Sequence, residues 1–312
     1  MNDLILSATI VTWLAMSVRL ATPLLFTALG GLVAQKSGVF NFALEGMMLM
    51  GAFFGYVGAL YSGSLWVGLL CALLAGAIMG LILAFTSVTL GVSQLVVGIG
   101  MSIFAAGFTG YFYRLMQRDV AAGGNTIANL QPLPIPLLGD IPIVGPILFN
   151  HNILVYLSVV LVVIIAVIFS RTPVGLNLRA VGENPRVADT VGIRVHRMRY
   201  AAVIISGILA GAGGAFLTLT QVSRFLENLV DGRGWIALAA VILGKYSPWG
   251  VLGACLLFGA ADALQMQLQI FGLEIPHQIL LMTPYLMAML ALAGVVGRVR
   301  GPAGQGKPYF KS

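Results

Sequence analysis

Residues 45–114 read EGMMLMGAFFGYVGALYSGSLWVGLLCALLAGAIMGLILAFTSVTLGVSQLVVGIGMSIFAAGFTGYFYR, and between Glu45 and Arg114 there is no charged side chain. A helix needs about 20 predominantly apolar residues to cross the hydrocarbon core of a bilayer, so this run alone holds about three spans. Ser62-Gly63-Ser64 and the stretch from Gly91 to Gln94 mark the breaks between them. Working outward, Asp140 to Arg171, Arg199 to Arg224 and Glu274 to Arg298 bound further uncharged stretches of spanning length. The whole chain is 59% apolar and 9% charged, against roughly 25% charged in soluble domains, so lipid must be the solvent for most of its surface.

The first apolar stretch starts at Leu4, but it has Asp3 where a secretory signal has a basic region, and Arg19 and Pro23 where a cleavage site would lie. It reads as a retained membrane segment over residues 4–34, as one long span or two short ones. Cys71 and Cys255 both fall inside apolar spans and read as small hydrophobes. The net charge of +7 does not indicate nucleic acid, because its distribution is that of a topology signal. Arg171, Arg179, Arg186, Arg194, Arg197 and Arg199 crowd one loop, and Arg298, Arg300, Lys307 and Lys311 fill the tail. The positive-inside rule puts both segments, and with them the C-terminus, in the cytoplasm.

That parity predicts spans near 41–61, 64–89, 93–114, 152–170, 200–222, 226–245, 248–270 and 277–297, with Lys36 and Lys245 inside. The span at 226–245 begins in the polar stretch Glu227 to Arg233, which lipid would leave unpaired, so a short or interrupted helix set in a cavity is expected there. Residues 115–150 fall outside, and Pro132, Pro134, Pro136, Pro142 and Pro146 make them an irregular external cap. The expected architecture is all-α: one polytopic transmembrane bundle of about eight to ten helices, 1–312, with a cytoplasmic loop at 171–199. Gly51 with Gly55, Gly76 with Gly80 and Gly207 with Gly211 are small-xxx-small pairs that let helix backbones approach closely.

No phosphate-binding loop is present. Gly244-Lys245 lacks the earlier glycine and is followed by Tyr246, and Gly306-Lys307 is followed by Pro308 where a Ser or Thr must stand. His151, His196 and His277 are scattered near predicted boundaries, which suggests neither a metal site nor a catalytic cluster. The informative loop contains Gly182-Glu183-Asn184-Pro185-Arg186-Val187-Ala188-Asp189-Thr190-Val191-Gly192. Asn184 caps free amides, Pro185 suits a first helical turn and Gly192 suits a left-handed terminator, which predicts a helix of about two turns. Val187 and Val191 share a face with Ala188 alongside, and Arg186 is placed to pair with Asp189. A helix that short needs bracing, either by its own membrane domain or by a groove in another protein.

This loop resembles the coupling segment of ATP-binding-cassette importer permeases of the ribose, branched-chain amino acid and nucleoside group, with Gly182, Asn184, Ala188, Gly192 and Ile193 in the motif positions. The resemblance extends to Gly30–Gly51 and Gly232–Gly250. The stretch from Asn41 to Gly46 and the Pro-rich external loop are most similar to the shorter of two nucleoside permease subunits. It implies a multi-pass protein of the bacterial cytoplasmic membrane that moves a nucleoside by alternating access, with ribose, galactose or a branched-chain amino acid as alternative cargo. It also implies as partners a second related permease, a tandem ATPase that binds the ATP and magnesium, and a substrate-binding lipoprotein. The chain itself would hold no cofactor and catalyse no chemistry.

Candidate pathway residues are Asn41, Phe42, Glu45, Gln94, Gln221, Trp235 and Asp262: a nucleoside offers a base for stacking on Phe42 or Trp235 and hydroxyls for hydrogen bonds. Glu45 is also suited to a helix N-terminus, with Lys36 available to it. A proton-coupled secondary transporter is the rival from another class, with Asp262 as its one midplane titratable candidate.

Overall fold

The computed structural model describes residues 2–118, 126–134, 141, 144–270, 282, 286–287, 289 and 301–310. The expected span at 277–297, with His277, lies outside the described residues apart from isolated positions. The helices are α1 (Asn2–Lys36), α2 (Leu44–Ser62), α3 (Leu65–Ala84), α4 (Gln94–Arg118), α5 (Ile153–Arg171), α6 (Pro173–Glu183), α7 (Pro185–Thr190), α8 (Val195–Phe216), α9 (Arg233–Leu243) and α10 (Pro248–Ile270). Helices α3 and α8 run on as π-helical turns, Phe85–Thr89 and Leu217–Val222. Seven of the described helices are long and apolar enough to cross a membrane, and α9, at 11 residues, is the short one the polar stretch foretold. Between α4 and α5 the described chain is irregular, apart from a π turn at Gly145–Phe149 and a two-residue strand pairing, Leu133–Pro134 with Asn150–His151.

The N-terminal stretch is one helix. Pro23 lies inside α1 and cannot donate to the carbonyl of Arg19 four residues back. The side-chain amide of Gln221 donates to that carbonyl at 3.4 Å, so a donor from another helix answers the group the proline frees. Helices α5, α6 and α7 each start on a side-chain cap: Asn152 accepts from the amide of Val155, Thr172 from Gly175 and Asn184 from Val187.

Helices α2, α3 and α8 form the tightest part of the bundle. A Cβ on Gly76 would collide with the carbonyl oxygen of Gly207, and one on Gly207 with that of Gly76. Gly51 faces the backbone of Gly211, at 2.5 Å from an added Cβ, and Gly80 lies against Val203. With lipid supplying no hydrophobic drive between helices, such backbone approach is what dispersion requires. Around this trio sit two apolar cores, one where α1 packs on α5, α9 and α10, and one of methionines and aromatics between α2, α4 and α8.

Candidate functional site

The connection between α1 and α2 does not stay at the membrane surface. Gly38 turns it back with a φ of +88°, and three residues on, Asn41 is fully buried, donating through Nδ2 to Ser206 Oγ at 2.8 Å and accepting from the amide of Ala43. Ser206 lies midway along the span Val195–Val222, so α2 begins well inside the bundle. Helix α9 also begins there. The segment before it re-enters through Asn228, Asp231 and Gly232, all with positive φ, and delivers its first amides to the side chain of Glu45. Glu45 Oε1 accepts from the amide of Gly232 at 2.9 Å and Oε2 from that of Gly234 at 2.7 Å. A carboxylate on one interrupted helix thus caps another, satisfying amides that would otherwise be bare at membrane depth.

This arrangement corrects one expectation: Lys36 does not pair with Glu45 but sits 5.9 Å from the ring centre of Tyr246, at the far end of α9. Asp231 and Arg233, at the start of α9, lie near enough to act electrostatically on both Glu45 and Asp262. Beside them Phe42 and Trp235 face each other with ring centres 6.5 Å apart, and Phe40 stacks on Phe42 at 4.4 Å. Trp235 is 40% exposed although it lies within the bundle's span, so this aromatic-lined break opens on the side of the chain.

Of the sequence-derived candidates, the structure gathers Phe42, Glu45, Trp235 and Asp262. Gln94 supports them, its side-chain oxygen accepting from the amide of Phe40 at 2.7 Å, and Asn41 fixes the turn. Gln221 stands apart on the Arg19 carbonyl, toward the other end of α1. Asp231 and Arg233 were not among the candidates; their place in a polar stretch that had to lie in a cavity was the available signal.

At the other candidate region, α7 forms as predicted and Gly192 ends it with a φ of +85°. Its faces are divided. Ala188 is buried in a small core with Val181, Val195 and Tyr309, whereas Val187 and Val191 are 57% and 70% exposed. Among the described residues the ion pair is Arg114–Glu227 rather than the predicted Arg186–Asp189, and Asp189 lies within electrostatic reach of Tyr309. The tail supplies a partner that local helix spacing could not reveal.

The family model of the permease component of branched-chain amino acid transport systems matches residues 13–297. The chain belongs to this family. The permease is 39% identical to the guanosine ABC transporter permease protein NupQ of Bacillus subtilis (strain 168), over 93% of this chain and 94% of that one. It is 34% identical to the nucleoside ABC transporter permease protein NupC of Lactococcus lactis subsp. cremoris (strain MG1363), covering 94% of both. The same two organisms hold more distant relatives, NupP at 28% identity over 81% of this chain and 74% of its own, and NupB at 26% over 76% and 67%. Among solved structures, a transporter assigned to the metal-chelate ABC type, in an inward-facing conformation, matches 88% of this permease and 85% of its own chain with a TM-score of 0.50 and 19% identity, a likeness of fold. The protein is therefore a multi-pass permease subunit of an ABC importer, a transport component and not an enzyme.

Proposed function

We propose that this permease carries nucleosides into the cell, that the break between α2 and α9 lies on their path, and that α7 receives the push of a partner ATPase. The observation that carries the cargo reading is the pairing of two facing aromatic rings, the half-buried Phe42 and the exposed Trp235, with the carboxylates of Glu45, Asp231 and Asp262. A base stacks on the first group, and ribose hydroxyls donate to the second. Relatives named for guanosine and nucleosides support the same class. Because this break opens on the flank of the chain, a second permease is needed to complete the wall; the paired relatives in two organisms support a heterodimer.

The C-terminus and the loop 171–199 then face the cytoplasm, where a tandem ATPase binds ATP and magnesium, and a lipoprotein delivers substrate to the irregular cap at the other end. ATP-dependent uptake of radiolabelled guanosine into proteoliposomes holding the full complex tests this. Accumulation competed by unlabelled nucleosides, and not by ribose or leucine, is the expected result. Preference for ribose or leucine would overturn the cargo, and uptake driven by a proton gradient without ATP would overturn the mechanism.

A further inference from the structure

Three glycines far apart in sequence meet at one point. A Cβ on Gly38 would sit 3.4 Å from both the Gly182 Cα and the Gly304 carbonyl, and one on Gly304 would sit 2.8 Å from the carbonyl of Gly182 and 3.2 Å from Pro185 Cδ. Gly38 belongs to the turn leading into α2, Gly182 to the end of α6 and Gly304 to the tail. The tail runs across this junction as a hydrogen-bonded strap. On the side of the coupling segment, the amide of Gly304 donates to the Gly182 carbonyl at 2.9 Å and that of Ala303 to Glu183 Oε2 at 3.1 Å. On the membrane side, the amide of Gly306 donates to the Gly38 carbonyl at 3.0 Å. Gln305 Nε2 donates to Gln35 at 3.2 Å, and the hydroxyl of Tyr246 donates to Gln305 Oε1 at 3.4 Å.

Two further anchors follow. Arg199 is 1% exposed at the start of α8, and its Nη1 donates to the Lys307 carbonyl at 3.0 Å. Among the described residues its Nε and Nη2 are buried without a hydrogen-bond partner, and the tail carbonyl is the acceptor that this guanidinium has found there. Tyr309 is 7% exposed, packs on Val181, Ala188 and Val195, stands 5.6 Å from the His196 ring and lies within electrostatic reach of Asp189 of α7.

We propose that residues 301–309 are a positioning strap that locks α7 to the α1–α2 turn and to the end of α9, so that displacement of α7 reaches the Glu45 break as one rigid movement. A six-residue helix has too few internal bonds to transmit force alone. The strap joins it to Gly38, seven residues before Glu45, and to Tyr246, three residues after α9, so both elements of the break are held by the same short segment. The inference rests on α7 being the ATPase contact, and its test separates the two.

The complex reconstituted with its ATPase is compared as wild type, Gly304→Leu, Tyr309→Ala and Tyr309→Phe, measuring ATPase association, ATP hydrolysis and guanosine moved per ATP. Gly304→Leu and Tyr309→Ala are expected to keep the ATPase bound and hydrolysing, while guanosine moved per ATP falls by about tenfold, a loss on the scale of intersite coupling. Tyr309→Phe, which keeps the ring, restores most of it. Hydrogen exchange at residues 187–193 should accelerate by roughly tenfold in the first two variants, with α2, α3 and α8 unchanged.

An unchanged transport ratio, unchanged exchange at 187–193, or loss of ATPase binding would each overturn the strap, the last by making the tail a docking contact. If Gly304→Leu does not reach the membrane, the Tyr309 pair decides alone. If wild type does not move guanosine, the cargo reading fails and the exchange arm decides the strap. Val187→Asp with Val191→Asp that still bind the ATPase refute the α7 contact, whatever the strap variants do.

Discussion

The trio α2–α3–α8 and the break at α9 solve the same problem, backbone in a solvent without water, in opposite ways. In the trio every helix is continuous through the contact, and glycine removes side chains until carbonyl meets backbone. At α9 the chain is interrupted, side chains are retained, and a carboxylate supplies the acceptor that the helix itself lacks. The first arrangement tolerates no added volume and leaves no room for a solute. The second holds its geometry through a few polar contacts, the kind of bond that can be exchanged for another. One protein thus carries a frame fixed by packing and a proposed gate held by hydrogen bonds.

The contrast breaks most visibly in the frame. Gly76→Leu must drive α3 away from α8, costing about 3 kcal/mol or more, and the yield of monodisperse protein extracted from membranes should collapse. Gly100→Ala has open space around its new methyl and should leave that yield unchanged. Next in size is the gate. Glu45→Ala leaves the amides of Gly232 and Gly234 unanswered, roughly 1–3 kcal/mol for each group, so transport should be lost while insertion and ATPase binding persist. Glu45→Gln, which accepts through one oxygen only, should fall between. Wild-type uptake by Glu45→Ala would remove the gate from the α9 break.

The link between the regions is sharpened by α7. Val187→Asp with Val191→Asp alters an exposed face and should release the ATPase in pull-down without lowering membrane yield. Ala188→Asp forces a charge against Tyr309 and should lower yield instead. The smallest effect belongs to the exposed pair Arg114–Glu227, at 2.6 Å, beside the segment that re-enters toward α9. Arg114 holds the Glu227 carboxyl below its ordinary range, so the pair's contribution is complete above the usual carboxylate pKa and disappears as pH falls through the lowered one. Because both side chains are exposed, Glu227→Gln should shift thermal stability only slightly, and high salt should erase the difference.

Much of the frame is legible in the residues themselves. Uncharged runs set the spans, the small-xxx-small pairs name the contact faces, and Asn184-Pro185 with Gly192 mark α7 nearly to the residue. The candidate site is legible only in part. Glu45 is recognisable as a helix-terminus carboxylate, but the terminus it caps belongs to α9, nearly 190 residues later. Gln221 is polar in an apolar span for a reason found in another helix, the proline of α1. Arg186 and Asp189 have pairing distance in their spacing, yet α7 packs its Ala188 against a tyrosine that arrives from the tail.

What the sequence by itself determined is everything governed by transfer of a residue between water and lipid, or by the backbone preferences of its neighbours: spans, caps, breaks and the uneven placement of arginine. Those free energies are local and add along the chain. What only the tertiary structure decided is which polar group answers which: Glu45 for α9, Gln221 for Arg19, the tail for Arg199 and α7. A buried hydrogen bond depends on two groups meeting within about 3 Å, and no local pattern encodes a partner that the fold brings from elsewhere.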